Sequence, residues 1–450
     1  MTQPNFIFIM ADNLGYGDWG CYGSTVHATP HTDRMAQEGM RLTHFYSCSP
    51  VCTPARAGAM TGCYPRRVGM HVGGFGSCVL MPRDNKGLNP GETTIARLLQ
   101  DQGYATACVG KWHLGDQLPF LPTRHGFDHF FGIPYSDDMM EGEHSRPCPP
   151  LPLMQGERVI EAPVDRDYLT KRCTEEVVRL IHEYRDQPFF IYFPQPMPGS
   201  TDRAFASPAF AGRSANGPYG DSIEEMDWST GQILEALREA GVDERTLVMS
   251  TSDHGPVPHD PPQGGVGPLK GKGYTTSEGG MRIPCVARWP GRIAPGSECD
   301  AVGSLLDVFP TFAHLAGIEP PREPTIDGHD MRPLLFGEAD ARSEYDRTGL
   351  FHYQIDQLQA VRSGPWKLYL PLAHKRFGLG KATAPCEVAL YDLVRDVDEA
   401  HNVAADHPDV VARLTALAEQ ARQELGDGDQ LGSGQRPAGW IDEAEFRLPA

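Results

Sequence analysis

Four short runs in this chain carry side chains whose types and spacing could do chemistry together. Asp12-Asn13 lies just beyond a continuous apolar run at residues 6–10. Asp253-His254 lies just beyond a second run at residues 246–251. Carboxylate and amide oxygens suit a hard divalent cation better than zinc. Each pair could equally do no more than cap the loop or helix that follows. The third run is Cys52-Thr53-Pro54-Ala55-Arg56. It reads as a helix start, with Thr53 as cap, Pro54 in the first turn and Gly62 as the stop. Cys52 then sits at the positive end of the helix dipole, where an anion is favoured. Arg56 adds a bidentate donor one turn on. A lone cysteine is otherwise a small buried apolar residue. The fourth run is Gly110-Lys111-Trp112-His113-Leu114-Gly115. If extended, it points Lys111 and His113 to the same face. That pairs a cation with a base that titrates near neutrality. A single histidine is more often a structural hydrogen-bonder.

The elements that must hold these runs can be read from the pattern. Apolar runs of strand length suit strands buried on both faces of a parallel sheet. Residues 104–109 form another such strand, ahead of Lys111. Residues 189–193 form one more, stopped by Pro194. A helix is predicted over 94–102, ended by Gly103. A second should start at a Ser222/Glu225 capping box and run to Ala240. The alternation predicts an α/β fold with a large mixed, mostly parallel sheet flanked by helices. Ligands of such sheets bind beyond the carboxyl ends of the strands, where these runs lie. The composition changes near Asp340. Short strands at 349–353 and 366–370 precede an amphipathic helix at Pro408–Leu425. Val411, Leu414, Ala418, Ala421 and Leu425 form its apolar stripe. This gives two domains, 1–340 and 341–450. The second is a small α+β unit with an antiparallel sheet, a long helix and an extended tail.

Composition narrows the class. The chain has 450 residues, with 40 Lys and Arg against 59 Asp and Glu, a formal net charge of −19. That opposes general nucleic-acid binding but not a small anionic substrate in a local basic pocket. With 40% hydrophobic and 22% charged residues, wholesale disorder is excluded. The 11 cysteines include no C-x-x-C pair, which argues against a disulfide framework or a structural zinc site. No stretch approaches the roughly 18 apolar residues of a membrane span. No signal peptide is visible. The expectation is therefore a cytoplasmic chain without membrane or nucleic-acid partners, extracytoplasmic if a precursor segment was removed.

D-N-L-G-Y-G-D from Asp12, C-T-P-A-R, G-K-W-H-L-G, T-S-D-H-G from Thr251 and E-G-G-M-R-I-P from Glu278 resemble the motifs of the type I sulfatases. They stand in that family's order, and L-Y-D-L from Leu390 fits too. The resemblance implies an alkaline-phosphatase-like fold. It implies an arylsulfatase-like enzyme that hydrolyses a sulfate monoester, of a sulfated carbohydrate or an aryl alcohol, to the alcohol and inorganic sulfate. It further implies that a maturation enzyme oxidises Cys52 to formylglycine (3-oxoalanine). Asp12, Asn13, Cys52, Asp253 and His254 would hold Ca2+, with Mg2+ as the alternative. The hydrated aldehyde attacks sulfur in line, and its second hydroxyl then loses a proton to expel sulfate. His113 resembles the base of that second step. Lys111 and Arg56 would neutralise the sulfuryl oxygens, and Ser136 would donate to sulfate.

The chain departs from the pattern in places. Asn13 stands where the family has a second Asp, and His254 where Asn is commoner. Gly199 stands where the family has a histidine that helps protonate the leaving group, leaving Asp202 as a substitute. The family lysine position is Gly273, so its role passes to Lys272, one residue away, rather than Lys270. The loops 73–89 and 136–152, with Arg83, His144 and Arg146, should form the pocket rim. Two other functions fit the same residues. One is hydrolysis of a phosphonate monoester or phosphodiester. The other is non-catalytic binding of sulfate or sugar, which the missing histidine and displaced lysine would suit.

Overall fold

The computed structural model describes residues 3–449, apart from 145, 202, 261, 378–380 and 383–384. Ten strands build the main sheet. They are β1 Asn5–Asp12, β2 Met40–Leu42, β3 Ala105–Lys111, β4 His129–Ile133 and β5 Leu153–Gln155. The others are β6 Arg158–Glu161, β7 Phe189–Pro198, β8 Thr246–Ser252, β9 Cys285–Arg288 and β10 Ser297–Cys299. Their order is β10-β2-β9-β8-β1-β7-β3-β4-β5-β6. The centre, from β8 to β4, is parallel. Antiparallel pairs flank it on both sides, as expected of a mixed, mostly parallel sheet.

β1 shows why its apolar run is unbroken. Phe6, Phe8 and Met10 enter one core, and Ile7, Ile9 and Ala11 enter the other. Both faces are covered, so alternation with polar residues has no place. The helices are α1 Pro30–Glu38, α2 Cys52–Thr61, α3 Ile95–Gln100, α4 Leu169–Tyr184, α5 Gly217–Glu239 and α6 Val308–Leu315. α2, α3 and α6 pack on the first face, and α1, α4 and α5 on the second.

Two local expectations fail for physical reasons. Pro194 does not stop β7, which runs on to Pro198. Beyond Tyr192 the strand is paired only with β1, and the register shifts so that Met10 faces Pro194 and Asp12 faces Pro198. A proline without an N–H is tolerated at such an irregular margin. α5 begins at Gly217, so Ser222 and Glu225 lie inside it rather than capping it. The Ser222 hydroxyl donates to the Tyr219 carbonyl, and Glu225 accepts from the Ser207 N–H.

The smaller C-terminal domain carries an antiparallel sheet of β11 Leu350–Gln354, β12 Gln357–Ser363, β13 Trp366–Tyr369 and β14 Ala389–Asp392. α7, at Pro408–Leu425 as predicted, buries Leu414, Ala418, Ala421 and Leu425, with Val411 half-buried beside them. This core also takes in Tyr46, Met281 and Leu306 of the large domain. The tail returns to the large domain, where Gly439–Trp440 pairs with Lys86–Gly87.

A buried ion cluster locks the two domains together. Lys367 Nζ of β13 lies 2.9 Å from Glu278 and 3.0 Å from Glu399, all of them enclosed. Tyr46 Oη donates to Glu278 at 2.6 Å. Burial alone would raise the Glu278 carboxyl, but Lys367 and Arg282 hold it down at about 2. That stabilisation is complete above the ordinary value of 4.5 and is lost as pH falls through about 2. Lys367→Met is expected to cost about 3–5 kcal/mol, because it strands two buried carboxylates. Adding Glu278→Gln should recover part of the loss. Urea unfolding at neutral pH checks both, and an unchanged midpoint for the single variant would remove the lysine from this role.

Candidate active site

The carboxyl ends of four central strands meet at one edge. β1 delivers Asp12 and Asn13, and β8 delivers Asp253 and His254. β3 ends on Lys111 with His113 two residues on, and β7 leads into Gly199-Ser200. β1 and β8 run in parallel with Ala11 opposite Ser252, so the two aspartates leave the sheet side by side. α2 starts at Cys52 itself, with Val51 before it. Thr53 is therefore not the cap. Its hydroxyl donates to the His113 carbonyl at 3.0 Å and accepts the Leu80 N–H at 3.1 Å. That ties the helix start to the His113 segment.

Cys52, His113, Ser136, Ser200 and Tyr274 are on the wall of a cavity of about 500 Å3. Arg56 lies wholly enclosed beneath. Its Nη2 donates to Asp12 at 2.7 Å and to Asp253 at 2.8 Å, and its Nη1 to the Lys111 carbonyl at 3.0 Å. Lys111 Nζ donates to Asp12 at 2.7 Å and to Ser136 Oγ at 2.9 Å. Burial opposes the Arg56 charge, but Asp253 and Asp12 more than offset it. Burial likewise works against ionised Asp253, yet the positive groups around it, Arg56 and Lys111 among them, hold it below the usual range.

Carboxylate, amide and imidazole donors that could hold a divalent cation face one another here. Asn13 Nδ2 donates to Asp12, the Gly199 carbonyl and Ser200 Oγ. The Asn13 Oδ1 therefore faces the other way, 3.7 Å from Cys52 Sγ. His254 Nδ1 donates to the Gly255 carbonyl at 2.8 Å, which leaves the Nε2 lone pair 3.3 Å from the same sulfur. Ligand atoms of Cys52, Asp253 and His254 all lie within 4.8 Å of one another.

Cys52 and His113 differ in their readiness to react. Burial, with Asp12 adding to it, pushes the Cys52 thiol well above its usual value. A neutral thiol is a poor nucleophile at physiological pH. His113 Nε2 donates to the Leu80 carbonyl at 3.1 Å, so Nδ1 carries a lone pair, and that buried atom has no partner among the described residues. Burial holds the imidazole far below its usual pKa, with Lys111 and Arg56 adding. The ring sits on a residue with φ of +60°, a costly conformation for histidine.

Lys272 stands apart from the other predicted residues. Its Nζ donates to the backbone carbonyl of His259, a residue of the cavity wall, at 3.2 Å. Lys270 is committed elsewhere, donating to the Glu399 carbonyl. Two residues of the site gave no signal in sequence. Tyr274 packs its ring 5.6 Å from that of His254. Asp137 is enclosed beside Ser200 and Gly199, and burial, with Asp138 and Asp12 adding, pushes its carboxyl up to about 8. Only the adjacency of Tyr274 to Lys272 and of Asp137 to Ser136 could have pointed to them.

A sequence profile described as sulfatase matches residues 4–318. The chain belongs to the sulfatase family. A second profile, the C-terminal part of N-sulphoglucosamine sulphohydrolase, matches residues 273–424 of this sulfatase. It is 36% identical to steryl-sulfatase of Mus musculus, across 95% of this chain and 84% of that protein. It is 37% identical to arylsulfatase A of Homo sapiens, across 92% and 87%. A solved sulfatase from Pseudoalteromonas sp. shares the fold with a TM-score of 0.81 at 27% identity, covering 93% and 89%. The sulfatase is thus a sulfuric ester hydrolase of the alkaline phosphatase superfamily. These relatives also correct the expectation of a cytoplasmic chain, because steryl-sulfatase and arylsulfatase A are proteins of the endoplasmic reticulum or lysosome. Among the described residues no helix is long and apolar enough to cross a membrane.

Position 199, where the family resemblance predicts a histidine, is shaped for glycine. Gly199 has φ of +80°, and a Cβ there would meet Asp137 Oδ1 at 2.7 Å. Its carbonyl is also taken by Asn13. Asp202, the candidate substitute, lies outside the described residues. Gly199→Ala is expected to lower stability by about 1–3 kcal/mol through the backbone conformation and the clash. Thermal unfolding checks it, and a melting temperature equal to that of the parent would count against the conformation.

Proposed function

We propose that this sulfatase acts through formylglycine made from Cys52 by a maturation enzyme, with Ca2+, or alternatively Mg2+, at the strand ends. Asp12, Asn13, Asp253, His254 and the residue at 52 would hold the cation. The observation that carries this is the convergence on Cys52. The Asn13 Oδ1 and His254 Nε2 lone pairs aim at its sulfur, and the thiol itself is held protonated. The aldehyde would supply a hydrated nucleophile, and the cation would polarise it and the sulfuryl oxygens.

The chain's own residues then have distinct tasks. Lys111 neutralises the sulfuryl group from behind Ser136, and the Ser136 hydroxyl, which accepts from Lys111, is free to donate to sulfate. Arg56 acts from beneath by fixing both aspartates and by opposing the burial that raises the Asp12 carboxyl, while Asp253 is held ionised. His113 takes, on its open Nδ1, the proton whose removal releases sulfate. Lys272 reaches the site through the His259 loop, as a positioning residue. The substrate class is a sulfated carbohydrate or an aryl sulfate.

The mass of the tryptic peptide spanning residues 42–56, from protein made alongside a maturation enzyme, should show an aldehyde at position 52. An intact thiol in an active preparation would overturn the reading. A chelator should abolish aryl sulfate hydrolysis, and added Ca2+ should restore it. His113→Ala should lower kcat by about 10²–10⁴-fold and lower KM with it, because it slows the step after ester cleavage. Loss confined to KM would refute the assignment.

A further inference from the structure

A second cavity, of about 630 Å3, shares Met81 and Arg146 with the cavity of Cys52. Its wall is apolar, with Phe75, Pro82 and Phe446 among its residues. Two guanidinium groups stand at its edge, each on an aromatic ring. Arg146 lies 5.4 Å from the Phe75 centroid, and Arg83 lies 4.9 Å from that of Phe446. Neither makes an ion pair among the described residues. In a chain of net charge −19 that is rich in surface ion pairs, two arginines without a carboxylate partner, Arg146 on the wall of both cavities and donating to the Phe75 carbonyl, and Arg83 on the wall of the second, are informative.

The cavity is built rather than incidental. Arg83 has φ of +61°, and its N–H is held by Asp116 at 2.8 Å. Gln117 donates to the Glu445 carbonyl at 2.8 Å and accepts its N–H at 3.0 Å, which pins the tail. Arg447 Nε donates to the Asp116 carbonyl at 2.7 Å. Phe446 is thereby fixed between two anchored residues and set against Arg83.

We propose that this second cavity is the leaving-group subsite, and that it takes the sulfate ester of a flat apolar alcohol bearing a further anionic group. The proposal rests on Cys52 as the reacting centre. Once the sulfate is seated there, the alcohol leads past Met81 into the neighbouring space. Phe75 and Phe446 supply flat faces, and Arg83 and Arg146 supply bidentate donors for a carboxylate or second sulfate. A plain apolar alcohol would leave both guanidinium groups unused. A small neutral one would leave the cavity empty.

Three esters separate these cases: phenyl sulfate, 2-naphthyl sulfate and a carboxylated 2-naphthyl sulfate. Arg83→Ala is expected to lower kcat/KM for the carboxylated ester about tenfold, the worth of one charge-assisted hydrogen bond, and to leave phenyl sulfate unchanged, whereas Arg146→Ala, on the wall of both cavities, should cost the carboxylated ester about tenfold more than it costs phenyl sulfate. Phe446→Ala should weaken both naphthyl esters and spare phenyl sulfate. Equal effects on all three esters, or none, would overturn the subsite. If no ester is hydrolysed, the reading of Cys52 fails instead. Calorimetric binding of the carboxylated naphthol to parent and variants then decides the subsite. Binding weakened by the arginine changes supports it, and binding indifferent to them overturns it.

Discussion

The site depends on one enclosed guanidinium. Arg56 has no contact with solvent and is held between Asp12 and Asp253, which leave adjacent parallel strands in register. Burying three charges together costs several kcal/mol per ion unless each finds its partner. Lys111 completes the balance by pairing with Asp12. The order of β8, β1, β7 and β3, and the seat of α2 over the first face, are thus coupled to one charge count. Loss of any member would leave an uncompensated charge in the interior. The same count keeps a cluster of carboxylate, amide and imidazole donors open toward Cys52.

Around that balance the backbone is strained where the chemistry lies. Asn13, His113 and Tyr274 all have φ near +60°, and Gly199 is left-handed too. Three such non-glycine residues about one site are a concentration that only a rigid surrounding can sustain. The ten-stranded sheet, covered by helices on both faces, provides it. The left-handed Asn13 turns its carbonyl oxygen toward Cys52, and left-handed His113 presents an unpartnered Nδ1 in a buried setting.

Reaction and selection are drawn from different parts of the chain. The reacting groups stand on strand ends and a helix start, whose positions are fixed by hydrogen-bonded registers. The second cavity is lined by Phe75, residues 81–83 and 146–147, and Phe446 of the returning tail. The smaller domain contributes by locking Glu278 through Lys367 and by sending that tail back across the large domain. Loops and tails vary more freely than strand ends, so one centre can serve many esters.

Much of this was legible in the residues alone. Continuous apolar runs announced strands covered on both faces, the residues just beyond three of them supplied six of the groups that meet at the site, and a helix start supplied Cys52 and Arg56. α7 was readable at both ends, because Pro408 and the following Gly426 are local signals and its stripe has helical spacing. Long-range packing decided the rest. Pro194 does not stop β7, because only one edge of that strand is paired there. Ser222 does not begin α5, because the helix starts earlier and both capping candidates find partners elsewhere. Lys272 stands back from the cavity, and Tyr274 fills the space beside His254, because the loop takes a turn that residue order does not encode. Phe446 meets Arg83 across more than three hundred residues. Local sequence fixes propensity and chemical type over a few neighbours. Which groups then share a cavity depends on contacts that close only when the whole chain has packed.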